Sequence, residues 1–63
     1  MARYHELADR LDDVVSELDQ ASFDLLQQAV ADGASTRPAA DRTLAQARRA
    51  VEKAARLLRD LEP

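Results

Sequence analysis

The sequence has no cysteine and no tryptophan, one glycine, two prolines, one histidine, one tyrosine and one phenylalanine among 63 residues. Without cysteine there can be no disulfide staple and no thiolate metal site, and the chain suits a reducing compartment. One histidine is too little to build a metal site. His5 and Asp9 stand at i, i+4, a spacing open to a metal or a charge pair, and the expectation is a solvent-exposed pair at a helix end. With one aromatic phenol, Tyr4, the natural role is the end of an apolar seam, with its hydroxyl in water. No catalytic residue, metal or cofactor is expected.

Long apolar runs are also missing. The stretch from Leu25 to Ala31 is interrupted by Gln27 and Gln28 and closed by Asp32, far short of a membrane span. The opening Met1-Ala2-Arg3-Tyr4-His5-Glu6 lacks the apolar core of a secretion signal. The expected setting is the cytoplasm, away from membranes. The bias to Ala, Arg and Asp suits a GC-rich bacterial genome. Motifs of catalysis are absent too: no Glu-x-x-His, phosphate loop, dinucleotide fingerprint or nucleophile elbow. Asp12 and Asp13 are adjacent, so a helix points them in different directions. A two-helix chain has no concave pocket of its own, so neither an enzyme nor a binder of small-molecule substrates is expected.

What is present is helix-forming sequence. Hydrophobic residues make up 46% and charged residues 33%. The punctuation is confined to Asp32-Gly33-Ala34-Ser35-Thr36-Arg37-Pro38. Gly33 suits a left-handed residue that ends a helix, Ser35 or Thr36 can cap the next one, and Pro38 fits a first turn. The reading is a single domain: a helix over about 3–32, a turn over about 33–36 and a helix over about 37–62. A short turn makes the helices antiparallel neighbours. The fold class is all-α, a helical hairpin expected to associate into a four-helix bundle.

Heptad spacing supports it. Tyr4, Leu7, Leu11, Val14, Leu18, Ala21 and Leu25 alternate steps of three and four, as do Ala40, Leu44, Ala47, Val51, Ala54, Leu58 and Leu61. These stripes predict the seam between the helices. One register faces Leu25 with Ala47, Ala21 with Val51, Leu18 with Ala54 and Leu11 with Leu61. The other, a heptad away, faces Leu18 with Ala47 and Leu11 with Ala54. Periodicity does not choose between them.

The seam leaves apolar residues over. The first helix adds Ala8, Val15, Leu26, Ala29 and Val30, with Phe23 further round. Its apolar arc covers roughly 200°, against the ~100° stripe that one partner covers. The second helix adds Ala50, Ala55 and Leu57. A chain this short also gains little stability from its own core. External cover is therefore expected, from a second copy or from helices of a larger protein, over Val15, Phe23, Leu26, Val30, Ala50 and Leu57. Among these, Phe23, Leu26 and Val30 are the segment expected to be buried by something outside the hairpin.

Charge separates by half. Residues 1–32 carry Glu6, Asp9, Asp12, Asp13, Glu17, Asp19, Asp24 and Asp32 against Arg3 and Arg10. Residues 33–63 carry Arg37, Arg42, Arg48, Arg49, Lys53, Arg56 and Arg59 against Asp41, Glu52, Asp60 and Glu62. Opposite halves favour antiparallel pairing and set orientation more than stability. Arg42, Arg49 and Arg56 recur every heptad with Lys53 between them, a ladder that could contact phosphates or another anion. The formal charge of −3 and the lack of an aromatic for base stacking count against nucleic acid, so a solvated face is the expected role.

In length and plan the chain is similar to the plasmid Rop family of dimeric RNA-binding bundles, without a motif shared with it. Tyr4-His5-Glu6-Leu7-Ala8-Asp9-Arg10-Leu11-Asp12-Asp13-Val14-Val15 resembles the first helix of exonuclease VII small subunits. That likeness covers only a dozen residues, and the linker Gly33-Ala34-Ser35-Thr36-Arg37-Pro38 comes too late to extend it.

Overall fold

A computed structural model of the chain describes residues 3–33 and 39–61. Two helices account for nearly all of them: α1, Tyr4–Ala31, and α2, Ala39–Asp60. They pack side by side as an all-helical hairpin, and no strand occurs among the described residues. The bounds of α1 lie within one residue of those expected, inside the uncertainty inherent in helix ends; the expected first and last residues of the second helix, 37 and 62, lie outside the described residues. The caps expected at Ser35 and Thr36 and the first-turn Pro38 lie outside the described residues.

α1 ends as its sequence requires. The Asp32 N–H donates to the Gln28 carbonyl and the Gly33 N–H to the Val30 carbonyl, each at 3.0 Å. Gly33 then turns left-handed, at φ 83°, where a side chain would strain the backbone. In the first turn of α2 Asp41 is buried, its carboxylate near the positive end of the helix dipole.

The hairpin is a thin rod of 52 × 14 × 11 Å. Its radius of gyration is 15.1 Å, whereas a compact chain of this length would have about 11 Å. A two-layer rod has almost no interior. Among the described residues the core consists of Ala8, 0% exposed, and Ala55, 2% exposed, and no large side chain is fully buried. Leu11, Leu18 and Leu25 of α1 and Leu44, Val51 and Leu58 of α2 are all half-buried.

The seam differs from the expected stripe. Leu11, Leu18 and Leu25 lie in it, but the other half of the α1 stripe is Ala8, Val15, Ser22 and Ala29. Tyr4, Leu7, Val14 and Ala21, expected there, are exposed. In α2 the expected Leu44, Ala47, Val51, Ala54 and Leu58 are half-buried, Ala40 and Leu61 are exposed, and the deepest positions are Asp41 and Ala55. Each helix is thus rotated about its axis by roughly half of the ~100° between successive residues. Heptad spacing allows both stripes, because both contain Leu11, Leu18 and Leu25. Small residues on the chosen side, Ala8, Ser22, Ala29 and Ala55, let the helices approach, and charged residues beyond them reach across.

Neither expected register holds. The first would set Arg59 level with Asp13 and Arg48 level with Asp24; the second would set them level with Glu6 and Glu17. Arg59 instead bonds to Asp9 and Asp12, and Arg48 to Asp19, between those limits. Leu11 therefore lies near the level of Leu58, Leu18 near Val51 and Leu25 near Leu44.

Candidate interaction surface

The seam has two long flanks, and the helices furnish them differently. On one flank α1 presents Asp9, Asp12 and Asp19, and α2 presents Arg48, Glu52 and Arg59. Arg59 Nη2 donates to Asp9 Oδ1 at 2.8 Å and to Asp12 Oδ2 at 2.6 Å. Arg48 Nε donates to Asp19 Oδ1 at 2.6 Å, its Nη2 reaches Asp19 Oδ2 at 3.4 Å, and its Nη1 reaches Glu52 Oε1 at 3.0 Å. Such forked contacts fix orientation as well as distance. They raise both guanidinium pKa values above the ordinary arginine value. The largest cause is the hydrogen bond that Arg48 donates to Asp19 and that Arg59 donates to Asp12. A raised pKa means that the stabilising charge is fully present below the unfolded value and lost only above the folded one. For arginine that window lies in strong alkali, so these bridges keep their cation at any pH near neutrality.

The opposite flank has no such cover. Helical geometry places Leu7, Val14 and Ala21 of α1 there, beside Ala47, Ala54 and Leu61 of α2, with Ala50 and Leu57 at its outer edge. Leu7 is 43% exposed, Leu57 57% and Leu61 60%. The large apolar residues of this flank, Leu7, Val14, Leu57 and Leu61, lie towards the open end of the rod; towards the turn it continues as Ala21, Ala47 and Ala50 and then Gln28 and Thr43. Charge lies at its rims: Arg10, Glu17 and Asp24 on α1, Lys53 and Asp60 on α2, of which Arg10, Glu17, Lys53 and Asp60 engage in no ion pair among the described residues.

The six residues expected to need outside cover divide between separate places. Ala50 and Leu57 belong to the uncovered flank. Val15 is half-buried on the side of the ion pairs. Phe23, Leu26 and Val30, with Gln27 and Ala31, line an open apolar depression at the turn end of α1. Phe23 is 56% and Val30 74% exposed, and Leu26 is half-buried. Ala8, Ala29 and Ala55, counted beside the seam, lie in it, and periodicity could not say on which sides the other apolar residues fall.

The arginines also sort by place. Arg42, Arg49, Lys53 and Arg56 are exposed on the outside of α2, whereas Arg48 and Arg59 are drawn into bridges. Sequence reasoning missed the two bridging arginines. The available signal was Asp12 and Asp19, one heptad apart beside the seam of the acidic helix. His5 Nε2 and Asp9 Oδ2 are 3.8 Å apart and both side chains are exposed, the expected pair. Among the described residues no group of His, Asp or Glu is arranged to hold a metal, and no helix is long and apolar enough to cross a membrane. No protein-family model matches the chain, nor does any curated protein or solved structure.

Proposed function

We propose that the chain is a non-enzymatic interaction module that self-associates through its uncovered flank into a four-helix bundle, and serves as a small adaptor, regulator or accessory subunit. One observation carries this reading: a rod whose described residues bury no large side chain leaves Leu7, Val14, Leu57 and Leu61 exposed on one flank. Each exposed leucine there forgoes burial at about 25 cal/mol per Å². A second identical flank is the simplest cover, because closed homodimers are the commonest assemblies. The apolar depression at Phe23, Leu26 and Val30 is a separate surface, suited to helices of a larger protein. The cysteine-free composition supports a reducing, cytoplasmic setting.

Light scattering over a range of concentrations tests the self-association. A mass of twice 7.0 kDa is expected, and a folded monomer at micromolar concentration would rule it out. The second reading is an anionic ligand, nucleic acid included, on Arg42, Arg49, Lys53 and Arg56. It is favoured by the absence of carboxylate partners for these four among the described residues. It requires binding that weakens steeply with salt. Binding that is absent at low ionic strength would remove it.

A further inference from the structure

We infer that two copies stack with their turns at the same end, so that α1 of each lies against α2 of the other; this rests on the self-association proposed above. Two identical hairpins meeting by the same flank have two symmetric arrangements. With the two-fold axis along the rod, the turns share an end and each α1 covers the partner's α2, antiparallel to it. With the axis across the rod, the turns lie at opposite ends and α1 covers the partner's α1.

Charge separates the two. On the rim of this flank α1 carries Arg10, Glu17 and Asp24, since Asp9, Asp12 and Asp19 lie on the bridged flank. Stacked on its copy, it would set Glu17 in mid-helix close to the partner's Glu17. Stacked on the partner's α2, it meets a basic helix.

Level along the rod adds a second, independent argument. A two-fold axis parallel to the rod preserves level, so each α1 residue meets the same level of the partner's α2 as of its own. The intrachain bridges set that level: Arg59 lies between Asp9 and Asp12, and Arg48 opposite Asp19. Transferred across the interface, it brings Leu7 near the partner's Leu61, Val14 near the partner's Ala54 and Ala21 near the partner's Ala47. At the rim it brings Glu17 near the partner's Lys53 and Arg10 near the partner's Asp60. Among the described residues these four charges, like Asp24 on the same rim, have no ion-pair partner in their own chain, and the signs of the two pairs match. Along the centre the pairs grade from leucine on leucine at the open end, through valine on alanine, to alanine on alanine towards the turn. From extents of 52 and 14 Å, the face offers roughly 700 Å² per copy, or roughly 1,400 Å² in total, the size of a stable interface.

The absence of cysteine makes the test direct, because one introduced cysteine is the only attachment point for a spin label. Two single variants of the full chain, Asp32→Cys beside the turn and His5→Cys at the other end, are labelled, and the distance between copies is measured by pulsed dipolar spectroscopy. The stacking predicts short distances for both, below about 25 Å for helices packed 8–10 Å apart. Distances near the 52 Å rod length for both would overturn it in favour of the opposed arrangement. A short distance at Asp32 alone would overturn it in favour of contact through the Phe23 depression. No dipolar coupling, together with a monomer mass, would instead refute self-association itself. Charge exchange provides a second readout. Glu17→Lys should weaken the dimer about tenfold, and adding Lys53→Glu should restore it to within about threefold. Tightening by Glu17→Lys alone would contradict the inference.

Discussion

On one flank of the hairpin, Arg48 and Arg59 cross the seam to Asp19, Asp12 and Asp9; on the other, Leu7, Val14, Leu57 and Leu61 stand uncovered beside the same two helices. Along the first flank the bridging charges are paired and small residues are buried beside them, up to the exposed Phe23 and Val30 at the turn end. The second has no bridges across it among the described residues. A hairpin adapted to work alone would spread polar cover over both. The division is unequal: charge bridges one side of the leucine seam, while Leu7, Val14, Leu57 and Leu61 stay exposed on the other.

The comparison breaks most easily from the uncovered side. Replacing Val14 and Leu57 together by glutamate should abolish the dimer at micromolar concentration, because unpaired charges would have to be buried in its core. Helical content should fall only so far as the hairpin depends on association, which circular dichroism on the same samples would record. On the bridged flank Ala8→Leu should cost about 1–3 kcal/mol, since a position 0% exposed has no room for three more carbons. Urea unfolding measures that loss; an unchanged midpoint would mean that the flank is looser than described. Gly33→Ala should cost about 1 kcal/mol through its positive φ alone, no atom lying within 4 Å of the new methyl. It acts before either flank is formed, so stability should fall and the symmetry of the dimer should persist. Arg59→Ala should have a smaller effect, shrinking further in high salt, because its bridges are exposed. Smallest of all, the triple change of Arg42, Arg49 and Arg56 to alanine should alter neither mass nor melting temperature.

Much of the fold was legible in the sequence. Gly33 marked the end of α1, and the heptads at Leu11, Leu18, Leu25 and Leu44, Val51, Leu58 marked the facing sides. The rotation of each helix was not legible, because Leu7-Val14-Ala21 and Ala8-Val15-Ser22 share the same leucines as neighbours and have the same period. Apolar content favoured the first stripe, whereas close approach and the arginine bridges selected the second. Ser22 shows why the choice was hidden: a polar residue inside a seam is small enough for packing but invisible to a hydrophobic pattern. The candidate surface was half legible. Ala50 and Leu57, placed beside the seam, are exposed, but Ala55, placed there with them, is in the core, while Leu7 and Val14 were assigned to the interior that they in fact leave. Register was out of reach for a similar reason: two alternations of large and small residues both fitted, and the deciding contacts were made by charged side chains.

The central claim is that the apolar flank is covered in solution although the hairpin itself leaves it bare. Methyl NMR with a soluble paramagnetic agent tests this residue by residue. The account predicts that the methyls of Leu7, Val14, Leu57 and Leu61 are shielded, while those of Val30, 74% exposed and off the flank, relax strongly. Equal relaxation of the flank methyls and Val30, at a concentration where the chain is folded, would contradict it.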